Sequence, residues 1–231
     1  MIPYVRREQI LSLIDNREVV YMEELAEKLN VSVSTVRRDL LLMAEEGQVV
    51  VLRGGAVRRL TENQDMPVIH KKKIQVDAKR RIAEKAASLV KDGEVIYLDS
   101  GTTTVEMFNY LQDKKVMVVT SAVPDCKKMA QYEQMKVIFL GGELIAGLES
   151  VVGSITEKLI TSMYFDKAFL GCSGYGREIG ICTYDTREAR KKELVNKQAK
   201  EVFILADTSK ENKKCFCKVF EWEDCKIINE R

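Results

Sequence analysis

The fold of the N-terminal region is decided by one stretch, Ser32-Val33-Ser34-Thr35-Val36-Arg37-Arg38-Asp39-Leu40. It opens with a serine, which is a good helix N-cap, and it spaces Val33, Val36 and Leu40 along one helical face. Polar and basic side chains cover the rest of the helix, namely Ser34, Thr35, Arg37 and Arg38. The pattern predicts an amphipathic helix.

A shorter helix is predicted just upstream from the spacing of Met22, Leu25, Ala26 and Leu29. It ends at Asn30, a residue that tolerates the left-handed conformation. Two helices joined by so tight a turn form a helix-turn-helix, whose second helix enters a DNA major groove. The alternative is an ordinary helical pair with a solvated, charged face.

The flanking segments favour the DNA-binding interpretation. Upstream, a third apolar stripe can close a three-helix core, and it consists of Val5, Ile10, Leu13 and Ile14. Downstream, the second helix continues to Gly47, which suits the first position after a helix. Residues 48–57 then resemble two short strands around Gly54-Gly55, a hairpin wing. Residues 1–59 are therefore expected to form a small winged helix-turn-helix domain.

Bulk composition does not by itself indicate nucleic-acid binding. The 231 residues carry a formal net charge of +2, and residues 1–60 hold nine Arg and Lys against nine Asp and Glu. Affinity for DNA must come from local cations, because each phosphate contact releases counterions; the candidates are Arg37, Arg38, Arg53, Arg58 and Arg59. No apolar run has membrane-spanning length and no signal peptide is evident, so a cytoplasmic location is expected.

The six cysteines raise the question of a metal site. Cys215, Cys217 and Cys225 offer three ligands, but a structural zinc site needs four, and the only histidine is His70. Reduced and mostly buried thiols are the alternative. No structural metal, disulfide or cofactor is expected.

The C-terminal part has the pattern of an α/β domain. Residues 60–77 lack an apolar period and are interpreted as a linker, in which Lys71-Lys72-Lys73 either touches DNA phosphate or, as favoured, begins a solvated helix. In residues 78–231, helices alternate with short apolar runs, which is typical of a mostly parallel sheet covered on both faces. The predicted strands are 95–98, 116–119, 137–140, 167–170 and 202–205.

Small or polar residues follow each predicted strand, where an open α/β sheet binds ligands. The first loop combines a glycine, hydroxyls and a helix start, features of an anion site, and it is Asp99-Ser100-Gly101-Thr102-Thr103-Thr104. It lacks P-loop and dinucleotide spacings, and an ordinary Ser/Thr helix cap is the alternative. Gly141-Gly142 follows the third strand.

Two further charged groups are candidates for this edge of the sheet. Asp185 precedes a helix on which Glu188 and Lys192 form an i,i+4 pair, either in a ligand site or as a solvated ion pair. Lys210 is either a counter-charge for phosphate or a surface lysine.

Two sets of residues carry a resemblance to a known family. The first is Arg6, Ile10, Ile14, Ser32, Thr35, Val36, Arg37, Arg38, Asp39 and Leu40. The second, between about 75 and 220, comprises 99–104, 141–144, 165–171, Glu188-Ala189 with Lys192, and 206–210. In both, the chain resembles the DeoR-type bacterial transcription regulators. It departs from them at Thr120-Ser121-Ala122, where Thr-Asn-Ser is common.

The resemblance implies a sensor domain that is similar in fold to ribose-5-phosphate isomerase and that binds phosphorylated sugars or related metabolites. With Asp185 added from the start of the charged helix, the expected effector site is Asp99, Ser100, Gly101, Thr102, Thr103, Thr104, Gly141, Gly142, Asp185, Glu188, Lys192 and Lys210. Operator DNA is expected to meet Ser34, Thr35, Arg37, Arg38 and, from the wing, Arg53.

An isomerase with a DNA-binding appendage is the rival class, and a protein-interaction module is a third. Aldose–ketose isomerisation needs a carboxylate base and further acid groups. The isomerases carry acidic residues after the fourth strand, whereas here Gly171-Cys172-Ser173-Gly174 follows. The chain is expected not to be an enzyme but a homodimeric or homotetrameric repressor of a sugar-metabolism operon. A phosphorylated sugar is expected to modulate its DNA affinity, most simply by releasing the DNA.

Overall fold

The chain divides into two units, Met1–Met66 and Pro67–Arg231. The structure, a computed structural model, describes residues 2–15, 19–45, 48–59, 65–123, 129 and 132–231. Gly47, the expected end of the second DNA-binding helix, and Cys126 lie outside these ranges.

The helices of the described residues are α1 (Pro3–Asp15), α2 (Met22–Leu29), α3 (Val33–Glu45), α4 (Val68–Lys71), α5 (Val76–Ser88), α6 (Thr102–Glu106), α7 (Phe108–Leu111), α8 (Ser154–Thr161) and α9 (Thr186–Gln198). The strands are β1 (Val20–Tyr21), β2 (Val49–Val51), β3 (Ala56–Arg59), β4 (Val95–Leu98), β5 (Met117–Thr120), β6 (Lys136–Phe139), β7 (Glu143–Ile145), β8 (Ser150–Val152), β9 (Phe165–Gly171), β10 (Gly174–Gly176), β11 (Gly180–Thr183), β12 (Ala199–Leu205), β13 (Cys217–Phe220) and β14 (Lys226–Ile228). None of these helices combines the length and apolar character needed to cross a membrane.

The N-terminal unit is a winged helix-turn-helix, as predicted. Asn30 ends α2 with φ 51° and ψ 50°, which confirms the left-handed turn between the two helices. Val36 and Leu40 of α3 are fully buried, whereas Val33 in its first turn is exposed. The strands form a three-stranded antiparallel sheet in the order β1-β3-β2. Gly54 and Gly55 have positive φ in the turn between β2 and β3, a conformation that glycine adopts without steric cost.

The C-terminal unit is built on a six-stranded parallel sheet in the order β14-β12-β9-β4-β5-β6. The five predicted strands are all present, with ends shifted by up to three residues. The sixth, β14, is too short for a periodic signal in the sequence. It pairs with β12 at one edge of the sheet.

Both faces of this sheet are covered by helices. Side chains alternate across a strand, so Ile96 and Leu98 pack in one hydrophobic core while Tyr97 packs in the other. The first core includes Ile82 of α5, and the second includes Ile160 of α8. The carboxyl ends of the strands are thereby brought to one edge.

Part of the expected linker is ordered structure. Residues 60–77 include α4 and the start of α5, and the chain from Pro67 belongs to the C-terminal unit. Lys71 is the last residue of α4, so the lysine run ends a helix and does not begin one. Lys72 Nζ lies 2.6 Å from Glu149 Oε2.

Candidate functional site

One face of α3 presents the side chains that were expected to meet DNA. Ser34, Arg37 and Arg38 share this face at i, i+3 and i+4, and all three are exposed, while Thr35 is half-buried. Leu41 continues the face and is 57% exposed. Leu41 was not among the residues predicted to meet DNA, although its i+3 spacing from Arg38 was a signal for this face.

The hydroxyls at the start of α3 bond to one another. Ser32 Oγ accepts from the backbone N–H of Thr35 at 3.2 Å, and it lies 2.8 Å from both Ser34 Oγ and Thr35 Oγ1. Ser32 is therefore the predicted cap, and it orders the two hydroxyls beside it. Arg53 begins the turn of the wing, but its side chain lies outside the described part of the structure.

Arg6 and Asp39, two of the N-terminal residues that carry the family resemblance, stabilise the fold. Asp39 is buried on α3, and its Oδ1 accepts from Arg6 Nη2 of α1 at 3.2 Å. This ion pair joins the first and third helices, and it raises the pKa of the Arg6 guanidinium through the hydrogen bond to Asp39.

A buried charge cluster lies at the carboxyl end of β4 in the C-terminal unit. Asp99 pairs with Lys191 and Lys192, and both lysines also pair with Glu188; these three residues project from the first turns of α9. Lys192 Nζ donates to Asp99 Oδ2 and to Glu188 Oε2, the latter at 3.2 Å. Lys191 Nζ lies 2.7 Å from Glu188 Oε1. The structure thus brings together three predicted site residues, Asp99, Glu188 and Lys192, and adds Lys191 to them.

Burial and pairing fix the charges of this cluster. Glu188 and Lys192 are 5% and 4% exposed, so the interpretation of this i,i+4 pair as a solvated ion pair is wrong. Burial would raise the pKa of Glu188, but the ammonium groups of Lys191 and Lys192 hold it well below its usual range. Burial would lower the pKa of Lys192, and Asp99 and Glu188 raise it above its ordinary value. Glu188 and Lys192 therefore both stay charged near neutrality.

One oxygen of this cluster lacks a hydrogen bond. Asp99 Oδ2 accepts from the backbone N–H of Gly171 at 3.0 Å as well as from Lys192. Asp99 Oδ1 is buried and has no hydrogen-bond partner among the described residues, and Lys191 Nζ is 3.7 Å away. Since buried polar atoms are nearly always hydrogen-bonded, this acceptor is available to a ligand hydroxyl.

The predicted anion loop is partly structural. The Thr104 hydroxyl donates to the carbonyls of Asp99 and Gly101 at 2.8 and 2.7 Å, and it is fully buried. Ser100 and Thr103 are buried, whereas Gly101 and Thr102 are half-buried. The helix that follows, α6, has five residues, so its dipole is weak and a cation must supply most of the attraction for an anion.

Lys210 is a further cation at the end of β9, near this loop. It is half-buried, and its Nζ donates to the carbonyl of Cys172 at 2.9 Å. Burial raises the pKa of the Cys172 thiol to about 12, although the charges of Lys210 and Lys192 oppose that rise. Lys210 and Lys192 therefore both lie near the end of β9. Gly171 at this strand end is next to the loop, because its Cα lies 3.6 Å from the position that a Cβ on Gly101 would take.

Asp185 acts through the start of α9. Its carboxylate caps the helix by accepting from the N–H groups of Arg187 and Glu188 at 2.8 and 3.3 Å, and it pairs with the Arg187 side chain. These hydrogen bonds lower its pKa against the opposing effect of burial. Asp185 therefore positions the helix that carries Glu188.

Gly141 and Gly142 lie beside α8. The carbonyl of Gly141 accepts from Thr156 Oγ1 at 2.7 Å. A Cβ on Gly142 would lie 2.1 Å from Thr156 Oγ1 and 2.5 Å from the carbonyl oxygen of Val152, at φ +149°. The structure thus gives Gly142 a packing role.

We expect Gly142→Ala to lower the free energy of unfolding by about 1–3 kcal/mol, because the added methyl overpacks this contact. Gly147→Ala is the matched control, since a Cβ there has open space and φ is not positive. Urea unfolding measures both. Equal effects of the two substitutions would contradict the packing role.

Sequence reasoning missed two members of the charge cluster. Lys191 is 1% exposed, and Ser150 Oγ lies 2.6 Å from both Lys191 Nζ and Glu188 Oε1. The only signal for Lys191 was its i+3 spacing from Glu188. Nothing in the sequence near Ser150 links it to residues almost forty positions later.

The described cysteines are Cys172, Cys182, Cys215, Cys217 and Cys225, and their thiols are free. In the described ranges, no three His, Cys, Asp or Glu side chains are grouped to hold a metal ion.

The chain combines a winged helix-turn-helix with an α/β unit that carries charged side chains at the carboxyl ends of its strands. This combination is typical of a DNA-binding transcription regulator. A family model of the DeoR-like helix-turn-helix domain matches residues 6–61, and one of the DeoR C terminal sensor domain matches residues 74–230. The chain belongs to the DeoR family of transcription regulators.

Similar proteins agree with this class. An uncharacterized HTH-type transcriptional regulator, FruR, from Bacillus subtilis is 35% identical over 206 residues, which are 89% of this chain and 82% of FruR. A lactose phosphotransferase system repressor from Streptococcus mutans is 32% identical over 94% of this chain and 87% of its own length. Both are regulators rather than enzymes. Ribose 5-phosphate isomerase A from Methanocaldococcus jannaschii is 22% identical, covers 60% of this chain and 56% of its own, and has a TM-score of 0.44.

Proposed function

We propose that this chain is a homodimeric or homotetrameric repressor of a sugar-metabolism operon, and that a phosphorylated sugar bound in the C-terminal unit releases it from DNA. The name of the Streptococcus mutans relative, a lactose phosphotransferase system repressor, supports this role. Because allosteric coupling is reciprocal, the effector must prefer an arrangement that binds DNA less well.

The observation that carries the effector proposal is the state of Asp99. Its Oδ1 is buried and receives no hydrogen bond from any described residue, although two lysine ammonium groups lie beside the carboxylate. A sugar hydroxyl would satisfy this acceptor, and further hydroxyls would exchange bonds with Glu188 and Lys192. The sugar phosphate would lie against Lys210 and the loop 99–104, with Asp185 holding α9 in place.

DNA binding rests on the exposed face of α3. Ser34, Thr35, Arg37 and Arg38 contact base edges and neighbouring phosphates, and Arg53 contacts the backbone from the wing. A second copy of the chain would double these contacts on a palindromic operator.

The effector class is tested by a thermal-shift screen of phosphorylated hexoses, pentoses and polyols. A ligand that binds only the native state at about 100 times its Kd stabilises it by about 2.7 kcal/mol, which raises Tm. The unphosphorylated sugars are the matched controls. If no phosphorylated sugar shifted Tm more than its parent sugar, the effector class would be wrong.

We expect Thr102→Glu to abolish this Tm shift, because it places a carboxylate where the phosphate is proposed to lie. Thr161→Glu, at an exposed position on α8, is the control and should leave the shift unchanged. The same screen measures both variants. A normal ligand-induced shift in Thr102→Glu would move the phosphate away from this loop.

A further inference from the structure

The segment Pro67–Gln75, here called the connector, begins the C-terminal unit where the chain arrives from the DNA-binding unit. It contains α4 and the turn that leads into α5. Its turn is hydrogen-bonded: the N–H of Lys73 donates to the carbonyl of His70 at 3.0 Å, and that of Ile74 donates to the carbonyl of Lys71 at 3.2 Å. The connector is therefore the covalent route by which a change in the effector site can act on the DNA-binding unit.

A single buried lysine holds the connector turn to α5. Lys79 is 7% exposed, and its Nζ donates to the carbonyl oxygens of Lys71 and Ile74, the latter at 2.6 Å. The ion pair of Lys72 with Glu149 is a second contact of the connector. Both side chains are about half exposed, so this pair contributes little to its stability. Lys79 therefore provides the buried polar attachment of the connector turn, while Val68 of α4 is buried as well.

Helix α5, which carries Lys79, packs against α6, the helix that follows the loop 99–104 of the proposed phosphate site. Burial, together with the ammonium groups of Lys210 and Lys71, lowers the pKa of Lys79 to about 8. The carboxylates of Asp207 and Glu106 oppose this shift. Lys79 and Lys210 thus repel each other, and an anion placed against Lys210 would attract both.

We propose that Lys79 couples the effector site to the connector, by exchanging its bonds with the carbonyls of Lys71 and Ile74 for an interaction with the anion bound at Lys210. This inference rests on the proposed effector function. The exchange leaves two carbonyls of the connector turn without their charged donor, which weakens the turn. The ligand thereby acts on the segment that leads to the DNA-binding unit, with Lys79 as the two-state element that coupling requires.

The test is hydrogen exchange of the full-length protein with and without inorganic phosphate, read by mass spectrometry. In the wild type, phosphate should slow exchange in the loop 99–104 and speed exchange of the amides of Lys72, Lys73 and Ile74 by about fivefold or more. Lys79→Gln keeps a donor for the carbonyls but has no charge. In this variant, phosphate should still protect the loop, whereas connector exchange should not respond.

Two further variants separate coupling from damage to the fold. Lys79→Arg restores the charge and should restore part of the response. Arg81→Met removes an exposed cation from the same helix and should respond as the wild type does.

Two outcomes would overturn the coupling role and leave the proposed effector site intact. In the first, phosphate protects the loop of the wild type but does not change exchange in the connector. In the second, phosphate protects the loop and changes connector exchange equally in the wild type and in Lys79→Gln. Absence of loop protection in the wild type would overturn both.

Discussion

Glu188→Gln should lower the free energy of unfolding by about 3–5 kcal/mol, because it removes one charge from a buried cluster and leaves the opposite charges poorly compensated. Lys191 and Lys192 would then share only Asp99, and Lys191 Nζ is 3.7 Å from its nearer carboxylate oxygen. Glutamine keeps the shape of the side chain, so the loss reports charge and not packing. Urea unfolding monitored by circular dichroism measures it.

Glu193→Gln is the matched control on the same helix. Glu193 pairs with Arg190 and Lys197 at the surface, where removing a charge costs about 0–1 kcal/mol. Similar losses in the two variants would show that the cluster around Glu188 is not electrostatically special.

The same experiment has a defined pH dependence. The pKa of Glu188 is depressed in the folded state, so its contribution is present above its ordinary value of 4.5 and is lost as the pH falls below it. The wild type should therefore lose stability on acidification in that range, and Glu188→Gln should lose less.

Arg38→Ala should weaken operator binding by about 1–3 kcal/mol, or roughly 5–150-fold, because a guanidinium in the groove contacts a base edge or a phosphate. Arg38 is exposed on α3, so stability should change by no more than about 0.5 kcal/mol. The operator duplex is first selected from a random pool with the wild-type protein. Fluorescence anisotropy at several salt concentrations then measures affinity.

Arg80→Ala is the control for Arg38→Ala. It removes an identical charge from an exposed position on α5 in the other unit. The operator affinity of Arg80→Ala and its salt dependence should match those of the wild type. If Arg38 contacts a phosphate, Arg38→Ala should reduce the slope of log affinity against log salt concentration by about 1. Unchanged affinity in Arg38→Ala would remove this arginine from the interface.

Local signals were sufficient for much of the fold. The cap at Ser32, the left-handed end at Asn30 and the spacing of Val36 and Leu40 all act within a few residues, so the helix-turn-helix was predictable. The five principal strands were also predictable, because strands buried on both faces are continuous apolar runs. The hairpin of β7 with β8 and the small sheet β10-β11-β13 lacked such runs and were missed.

The amino-acid sequence by itself determined the class of protein, the order of its principal helices and strands, and the residue types gathered at the sheet edge. Only the tertiary structure decided which charges are buried together. Lys191 and Ser150 join Glu188 because α9 and β8 meet there, and the buried Lys79 donates to carbonyls of the connector. The reason is that the helical period places a side chain on a face, whereas its solvation and its partners depend on what other elements bring to that face.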